Sequence, residues 1–208
     1  MGEMQLFADD ANHFIRNKVC SALQVQAEEQ FGNIIKWMNA NYLTVNYSKT
    51  YFTIFSPNCR NDRLKHFNHL NGNTNQITKV EKIKFLGIII DEQLTWKDHI
   101  QYVIDRLKKL SGIFYKVRYK IPAPCLKQIY YAMIHPIIQY GAEIYANCCK
   151  TYLDHLITLN NRILRTLQFG TIRTKTTTLY KSFNAFPINV LHDLRLCLFV
   201  LKFINQTG

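Results

Sequence analysis

The spacing of apolar residues changes near residue 94, and this change constrains the fold more than any other feature of the sequence. Before it, short apolar runs such as Ile88, Ile89 and Ile90 have the length and composition of buried strands. After it, apolar residues recur at every third or fourth position, which predicts a long amphipathic helix. Strand signals followed by helix signals are typical of α+β proteins. We therefore predict an α+β fold that divides into residues 1–94 and residues 95–208.

The first part shows hairpin, helix and strand signals in turn. Two apolar runs flank Asp9 and Asp10, and this pattern predicts a β-hairpin whose turn contains the two aspartates. The long polar stretch at 56–76 is predicted to be a loop. The remaining predictions are a helix at 21–41, a turn at 46–48, a strand at 50–55, and a second hairpin or two short strands at 77–91.

The second part is predicted to be entirely helical. Its most apolar stretch, residues 191–204, is short and contains three charged residues, so we predict a buried helix rather than a membrane span. The predicted helices are one from Trp96 that ends before Pro122, one at 124–135 that stops near Pro136, one at 152–168 and one at 187–204.

Positive charge is concentrated in the later part of the chain. Lysine and arginine total 26 and aspartate and glutamate total 14, which gives a net charge of +12. Residues 1–60 hold five basic and five acidic residues, so residues 61–208 carry the whole excess. A neutral segment joined to a basic one favours a polyanionic partner such as nucleic acid. The alternative is a basic protein without such a partner, and charge alone leaves both open.

The six cysteines do not have the spacing of a zinc site. No two of them form a Cys-x-x-Cys pair, and the adjacent Cys148 and Cys149 are poorly spaced for a zinc knuckle. No signal peptide is recognisable, so we expect reduced thiols in an intracellular protein of the cytoplasm or nucleus.

Asp9 and Asp10 are the strongest candidates for chemistry. Two adjacent carboxylates at a tight turn repel each other, and a divalent cation relieves that repulsion. Mg²⁺ is often held by one or two carboxylates together with water and substrate phosphates, as two-metal phosphoryl transfer requires. The alternative is an ordinary turn, because aspartate favours turns.

Several segments, taken in order, resemble one family. QLFADDANHF resembles the F/Y-A-D-D hairpin of reverse transcriptases, and WMNANYLTVNYSKTYFTIF resembles the helix and strand that follow it in the palm. KFLGIIIDEQLTWKDHI resembles a segment of non-LTR retrotransposons, especially the jockey-like branch, and LKQIYYAMIHPIIQYGAEIYA resembles their thumb. The resemblance covers residues 1–170. It implies a partial polymerase palm of β-hairpins and a helix in residues 1–94, followed by an all-helical thumb in residues 95–208.

The resemblance implies an RNA-directed DNA polymerase that uses Mg²⁺, an RNA template and a DNA primer. Asp9 and Asp10 would bind the metal, and Lys49 would lie near the leaving pyrophosphate; the alternative for Lys49 is a solvated turn charge. Gly87 would let the backbone approach the primer, or it would only relieve crowding between strands. The residues implied in nucleic-acid binding are Phe7, Ala8, Phe85, Leu86 and Gly87 of the hairpins and Arg106, Lys108, Lys109, Lys116, Arg118 and Lys120 of the thumb, for which the alternative is an ordinary solvated helix face.

Parts of a complete enzyme of this family have no counterpart in the chain. A third catalytic carboxylate and the fingers would precede Phe7, where six residues stand. We therefore expect a fragment that does not extend a primer by itself. Extension of oligo(dT) on poly(A) with Mg²⁺ that disappeared in Asp9→Ala would contradict this expectation. The alternative function is a nucleic-acid-binding module without catalysis, and a helical protein-interaction domain is the third possibility.

Overall fold

The computed structural model describes residues 2–8, 10–55, 67–71 and 76–207, and within these ranges the chain is an α+β protein. It divides into two compact units. The first unit comprises the chain up to Ile83 together with Asp91–Leu94, and the helical unit comprises Lys84–Ile90 and residues 95–208. Residues 84–90, placed in the first part by the sequence analysis, thus belong to the helical unit. The identity of these units as palm and thumb stays a prediction.

The first unit begins with the predicted β-hairpin. Strand β1 (Glu3–Phe7) pairs antiparallel with β2 (Asp10–Phe14). The turn predicted at Asp9 and Asp10 was wrong for Asp10, which is the first residue of β2 and pairs with Phe7. Ala8 has a φ of +52°, the left-handed conformation that tight two-residue hairpin turns adopt.

A long helix and a three-stranded sheet complete the first unit. Helix α1 (Cys20–Ala40) confirms the helix predicted at 21–41. The strands of this sheet are β3 (Tyr51–Phe52), β4 (His69–Asn71) and β5 (Gln76–Lys79). Their order in the sheet is β3-β5-β4, with β3 parallel and β4 antiparallel to the central strand.

The loop predicted at 56–76 was wrong for the part of it that the structure describes. Residues 56–66 and 72–75 lie outside the described ranges, but Phe67 and Leu70 are buried against Ala27 of α1 and Ile77 of β5. Local polarity favoured a loop, and the burial of two apolar side chains in a small core produced a strand instead. The strand predicted at 50–55 is shorter in the structure, because only Tyr51 and Phe52 pair with a neighbouring strand.

Strands β6 (Lys82–Phe85) and β7 (Ile88–Asp91) form a two-stranded sheet, which confirms the hairpin predicted within 77–91. The two residues that join them, Leu86 and Gly87, have φ values of +45° and +85°. Two consecutive left-handed residues are the backbone pattern of the tight turn whose twist matches that of a hairpin.

Helical segments follow one another through the rest of the helical unit, as predicted. The helix predicted from Trp96 and the helix predicted at 152–168 are confirmed. The segments are α2 (Lys97–Val117), a 3₁₀ turn (Arg118–Lys120), α3 (Ala123–Ile129), a π-helical turn (Tyr130–Ile134), α4 (His135–Gln139), α5 (Ala142–Tyr145), α6 (Lys150–Leu167), α7 (Thr176–Phe183) and α8 (Ile188–Thr207).

Helices α2 and α6 pack along each other and form the centre of the hydrophobic core. Their buried residues recur at helical spacing, so each helix hides one face and exposes the other. This packing leaves the polar sides of both helices at the surface, where the candidate interface is found. The buried residues include Ile100, Val103, Leu107 and Phe114 of α2 and Leu153, Leu156, Ile163 and Leu164 of α6.

A buried polar network crosses this core and was not predicted. The Tyr130 hydroxyl donates a hydrogen bond to Asn160 Oδ1 at 3.3 Å, and Asn160 Nδ2 donates to the Tyr180 hydroxyl at 3.2 Å. The Tyr180 hydroxyl in turn donates to Asn161 Oδ1 at 2.8 Å. Burial raises the pKa of Tyr130, so its hydroxyl stays protonated and keeps donating.

The stop predicted near Pro136 was wrong, because the chain stays helical through α4. The π-helical turn lies directly before this proline. A π-turn bonds groups five residues apart and widens the coil, which relieves the contact between a proline ring and the preceding carbonyl. Pro136 then occupies the first turn of α4, where its missing N–H group is tolerated.

Helix α8 confirms the helix predicted at 187–204, but the prediction that it is buried was wrong. Of its described side chains, Ile188 and Leu191 are buried, and both join the core in the first turn. Farther along, Leu198 is 49% exposed and Phe203 is 62% exposed. Among the residues that the structure describes, no helix is both long and apolar enough to span a membrane.

Candidate nucleic-acid interface

The first hairpin presents its side chains to solvent. Phe7 lies opposite Asp10 in the antiparallel register, and the Phe7 ring is 60% exposed. Asp10 and Ala8 are exposed as well, and so is every residue of β1. The structure therefore brings Phe7, Ala8 and Asp10 together at one accessible turn.

The described residues do not by themselves complete a magnesium site. Asp9 lies outside the described residues, so the predicted pair is represented by Asp10 alone. In the part of the chain that the structure describes, no three His, Cys, Asp or Glu side chains are grouped so as to hold a metal ion. Mg²⁺ needs a nearly octahedral shell of oxygen ligands. The described residues supply one exposed carboxylate of such a shell, that of Asp10, and the binding of Mg²⁺ stays a prediction.

Lys49 lies in a tight polar turn. Its backbone N–H donates to the Asn46 carbonyl at 3.0 Å, and the Ser48 hydroxyl donates to Asn46 Oδ1 at 2.7 Å. These bonds confirm the turn predicted at 46–48. The Lys49 side chain is exposed, which agrees with the alternative of a solvated turn charge and leaves its predicted role near pyrophosphate open.

The turn of the second hairpin is held by a tyrosine of the helical unit. The Tyr140 hydroxyl donates a hydrogen bond to the Leu86 carbonyl. A Cβ atom added at Gly87 would lie 3.4 Å from the ring Cε1 of Tyr140. The fold therefore explains why residue 87 is a glycine: its φ is positive, and the ring of Tyr140 lies beside it. Phe85 is half-buried and Leu86 is 39% exposed, and contact of this turn with a primer stays a prediction.

His99 connects α2 to the same hairpin and was not predicted. Its Nδ1 accepts a hydrogen bond from the Ile89 backbone N–H at 3.2 Å, and its ring packs edge-on against Tyr145 at 4.9 Å between centroids. The side chain is 2% exposed, and burial lowers the pKa of His99 to about 4. A neutral imidazole that accepts at Nδ1 carries its proton on Nε2. His99 is therefore an uncharged structural group at neutral pH.

Most of the predicted thumb cations lie on the exposed side of α2. Lys108 forms an ion pair with Asp105 at 3.5 Å, but both side chains are more than half exposed, so the pair contributes little stability and leaves Lys108 available. The Arg106 guanidinium lies over the Tyr102 ring, 5.7 Å from its centroid. The exposed predicted cations are Arg106, Lys108, Lys109, Lys116 and Lys120.

A surface groove between α2 and α6 joins some of these cations to residues that the sequence did not connect with them. The groove has a volume of about 390 Å³. Gly112 opens it, because no atom lies within 4 Å of a Cβ added there. Three cations and three hydroxyl groups around one groove suit the oxygen atoms of phosphates. Its lining residues are Lys108, Ser111, Gly112, Tyr115, Lys116, Leu159, Arg162 and Thr166.

Arg162 and Thr166 were missed in the sequence analysis. They are four residues apart on the polar side of the predicted helix at 152–168, which was the available signal. That spacing shows that two side chains share a helix face, but it does not show which other helix lies beside that face.

Arg118 differs from the other predicted cations, because it is only half-exposed and its guanidinium donates hydrogen bonds to two protein groups. Its Nη2 donates to the Tyr119 hydroxyl at 2.8 Å, and its Nη1 donates to the Thr166 carbonyl at 3.4 Å. Its Cζ lies 4.6 Å from the ring centroid of Tyr115 and 4.7 Å from that of Tyr119. Arg118 is thus placed to order neighbouring aromatic rings, and its direct contact with phosphate stays a prediction.

Comparison with known proteins points to the RNA-directed DNA polymerases. The chain is similar to the RNA-directed DNA polymerase from mobile element jockey of Drosophila melanogaster, with 28% identity over 85 residues. The similarity covers 39% of this chain and 9% of that protein's length. No family model matches the chain, and no solved structure matches it. These findings support a distant relationship to a retrotransposon reverse transcriptase.

Proposed function

We propose that the chain is part of the reverse transcriptase of a jockey-like, non-LTR retrotransposon, and that its helical unit binds the duplex of RNA template and DNA primer. The observation that supports this most is the 85-residue similarity to a polymerase of that class. The exposed cations of α2 and the groove beside them meet the need of such an enzyme to hold a polyanion. A nucleic-acid-binding module without catalysis is the second candidate, favoured by the same groove.

For the first unit, we propose the metal-binding hairpin of a polymerase palm. In the complete enzyme Asp9 and Asp10 would share Mg²⁺ with a third carboxylate, and Phe7 and Ala8 would lie beside the primer end. The exposure of Asp10 at the start of β2 supports this placement. Lys49 is proposed for the leaving pyrophosphate on the strength of the family resemblance.

The dimensions of α2 suit contact with a nucleic-acid backbone. Lys108 and Lys116 are eight residues apart, which corresponds to roughly 12 Å along a helix axis. Successive nucleotides of one strand rise by about 3.4 Å, so the two lysines span three or four phosphates. Arg162 adds a cation from α6 on the other side of the groove. Contacts of this kind neutralise phosphates without regard to base sequence.

Removal of the positive charges that line the groove is expected to weaken the binding of nucleic acid. The triple variant Lys108→Gln, Lys116→Gln and Arg162→Gln is expected to bind an RNA–DNA hybrid at least about tenfold more weakly at low salt. Each phosphate contact that is lost reduces the number of counterions released on binding. The slope of log affinity against log salt is therefore expected to become less negative by roughly three. Fluorescence anisotropy with a labelled hybrid across a salt series measures both quantities.

A second triple variant is the matched control for net charge. Lys150, Lys181 and Lys202 are exposed cations of the helical unit that do not line the groove. Their replacement by glutamine removes the same charge and is expected to leave the salt slope nearly unchanged. Equal losses in the two triple variants would show that net charge, and not the groove, attracts the hybrid. Absence of hybrid binding by the unaltered chain at low salt would refute the proposed function.

A further inference from the structure

We propose that the helical unit also binds single-stranded nucleic acid, with unpaired bases stacked on an aromatic platform formed by Tyr115, Tyr119 and Phe169. The proposal rests on the proposed function, because it assumes that nucleic acid reaches this face of α2. The chain would then recognise two forms of nucleic acid, the template–primer duplex and an unpaired strand.

The platform consists of large rings that solvent can reach. Tyr115 is 61% exposed, Tyr119 is 73% exposed and Phe169 is 48% exposed. The rings of Tyr119 and Phe169 lie 5.3 Å apart between centroids and are tilted by 49°. Exposed aromatic rings are what single-strand-binding proteins use, since every base has a flat face that stacks on them. The platform therefore has the composition and accessibility of a stacking site.

Arg118 holds the three rings in place from within the protein. Its Cζ lies 4.6 Å from the Tyr115 centroid, 4.7 Å from the Tyr119 centroid and 5.7 Å from the Phe169 centroid. The guanidinium is anchored through its hydrogen bond to the Thr166 carbonyl of α6. Rings that are ordered before binding lose less conformational freedom when a base stacks on them. The cation–π contacts thus prepare the platform for a ligand.

The backbone at Phe169 has a left-handed conformation that residues other than glycine seldom adopt. Helix α6 ends at Leu167 and is capped by Gln168, and the Gly170 N–H closes the helix end by donating to the Arg165 carbonyl at 2.8 Å. Phe169 lies between Gln168 and Gly170 and has a φ of +55°, at a position where helices usually place glycine. An exposed phenylalanine in a left-handed conformation costs stability and gains little burial. Strain of this kind is found where a side chain is kept for function.

The platform continues into the basic groove, which supplies the complementary charge. Tyr115 belongs to both, because it lines the groove together with Lys116 and Arg162. A strand with bases on the rings would therefore place its phosphates beside these cations. Bases within a duplex are already stacked on both faces, so the rings select an unpaired strand.

The test uses the full chain and two labelled ligands of the same length. One is single-stranded RNA of roughly 12 nucleotides, within the size range of single-strand sites, with 2-aminopurine at its centre. The other is the corresponding RNA–DNA hybrid. Phe169→Gly is expected to weaken single-strand binding by roughly tenfold and to change hybrid binding by less than about twofold. Because glycine relieves the positive φ, the unfolding midpoint of this variant is expected to be kept or raised.

Further variants separate stacking from a structural role. Tyr119→Ala, at an exposed site, is expected to give the same selective loss, whereas Phe169→Tyr keeps a ring and is expected to keep binding. Phe199→Ala is the matched control, because Phe199 is 60% exposed on α8. The fluorescence of 2-aminopurine responds to stacking and is expected to change on binding to the unaltered chain but not to Phe169→Gly.

The outcomes distinguish this proposal from the one on which it rests. Salt-sensitive hybrid binding together with single-strand binding that Phe169→Gly and Tyr119→Ala do not weaken would overturn the platform and leave the proposed function standing. Selective loss of single-strand binding without any hybrid binding would support the platform and refute the duplex function. If neither ligand binds at low salt, both proposals fail.

Discussion

Replacement of Leu107 by alanine is expected to lower the free energy of unfolding of the helical unit by about 2–5 kcal/mol. Leu107 is 0% exposed and belongs to the core that α2 and α6 share. The shorter side chain leaves a cavity, because the surrounding side chains relax only in part. A typical domain is stable by about 5–15 kcal/mol, so this loss is a large fraction of the total.

The two tryptophans make it possible to follow the helical unit by itself. Trp96 packs against the core of this unit, whereas Trp37 is 58% exposed in the first unit. In a Trp37→Phe background, urea unfolding followed by fluorescence therefore reports on the surroundings of Trp96. Ile113→Ala is the matched control, since Ile113 lies on the same helix and is 54% exposed. Its expected change is within about 0.5 kcal/mol. Equal losses in the two variants would show that α2 does not bury the face containing Leu107.

A fall in pH from about 6.5 to about 4 is expected to destabilise the helical unit by up to about 3 kcal/mol through His99. In the folded chain, burial lowers the pKa of His99 to about 4, whereas the unfolded chain titrates near the ordinary value of 6.5. Within this window the unfolded state binds a proton that the folded state does not bind. Stability therefore falls as the pH falls, at about 1.4 kcal/mol per unit, and the contribution is constant above pH 6.5.

His99→Asn is the variant that isolates this effect. The asparagine Oδ1 takes the position of Nδ1 and is able to accept the Ile89 N–H bond, and asparagine does not titrate. Urea unfolding at several pH values between 4 and 7, with Trp96 as the probe, gives both stability curves. Burial also lowers the pKa of His135, but His135 is present in both proteins and its effect cancels in the comparison. Parallel curves would show that the folded chain accepts a proton at His99 without cost.

The apolar spacing of the sequence was sufficient to locate the long helices. The helix predicted at 21–41 is found at Cys20–Ala40, and the one predicted at 152–168 is found at Lys150–Leu167. Long amphipathic segments repeat the same signal over several turns, so one misleading residue changes little. Short elements lack this repetition. The strand β4 was therefore read as a loop, since its three residues contain a single buried apolar side chain, Leu70.

The errors at Pro136 and in α8 have a different physical cause. Proline stops an α-helix because of a local clash, but a π-helical turn before it removes that clash. Hydrophobicity shows that α8 has apolar residues on every side, yet it does not show whether other elements cover them. Phe203 is 62% exposed for this reason.

The sequence was also sufficient for part of the candidate site. The apolar runs on either side of Asp9 and Asp10 predicted the first hairpin, and the pattern of residues 77–91 predicted a second hairpin or two short strands. Register and turn position depend on backbone pairing, which placed Asp10 in β2 opposite Phe7. The contact that holds the second turn came from far away in the chain, because the Tyr140 hydroxyl donates to the carbonyl of Leu86, 54 residues before it.

By itself, the sequence determined the α+β class, the order of a mixed part before an all-helical part and the concentration of positive charge after residue 60. These properties follow from residue type and short-range spacing, which act along the chain. The tertiary structure alone decided which cations share a groove and which one is held by aromatic rings. Arg118 and Thr166 are 48 residues apart, and only the packing of α2 on α6 brings them into contact. Long-range packing also gave Lys108 and Lys116 their common groove with Arg162, because a side chain's partners across a helix interface are set by how the two helices dock.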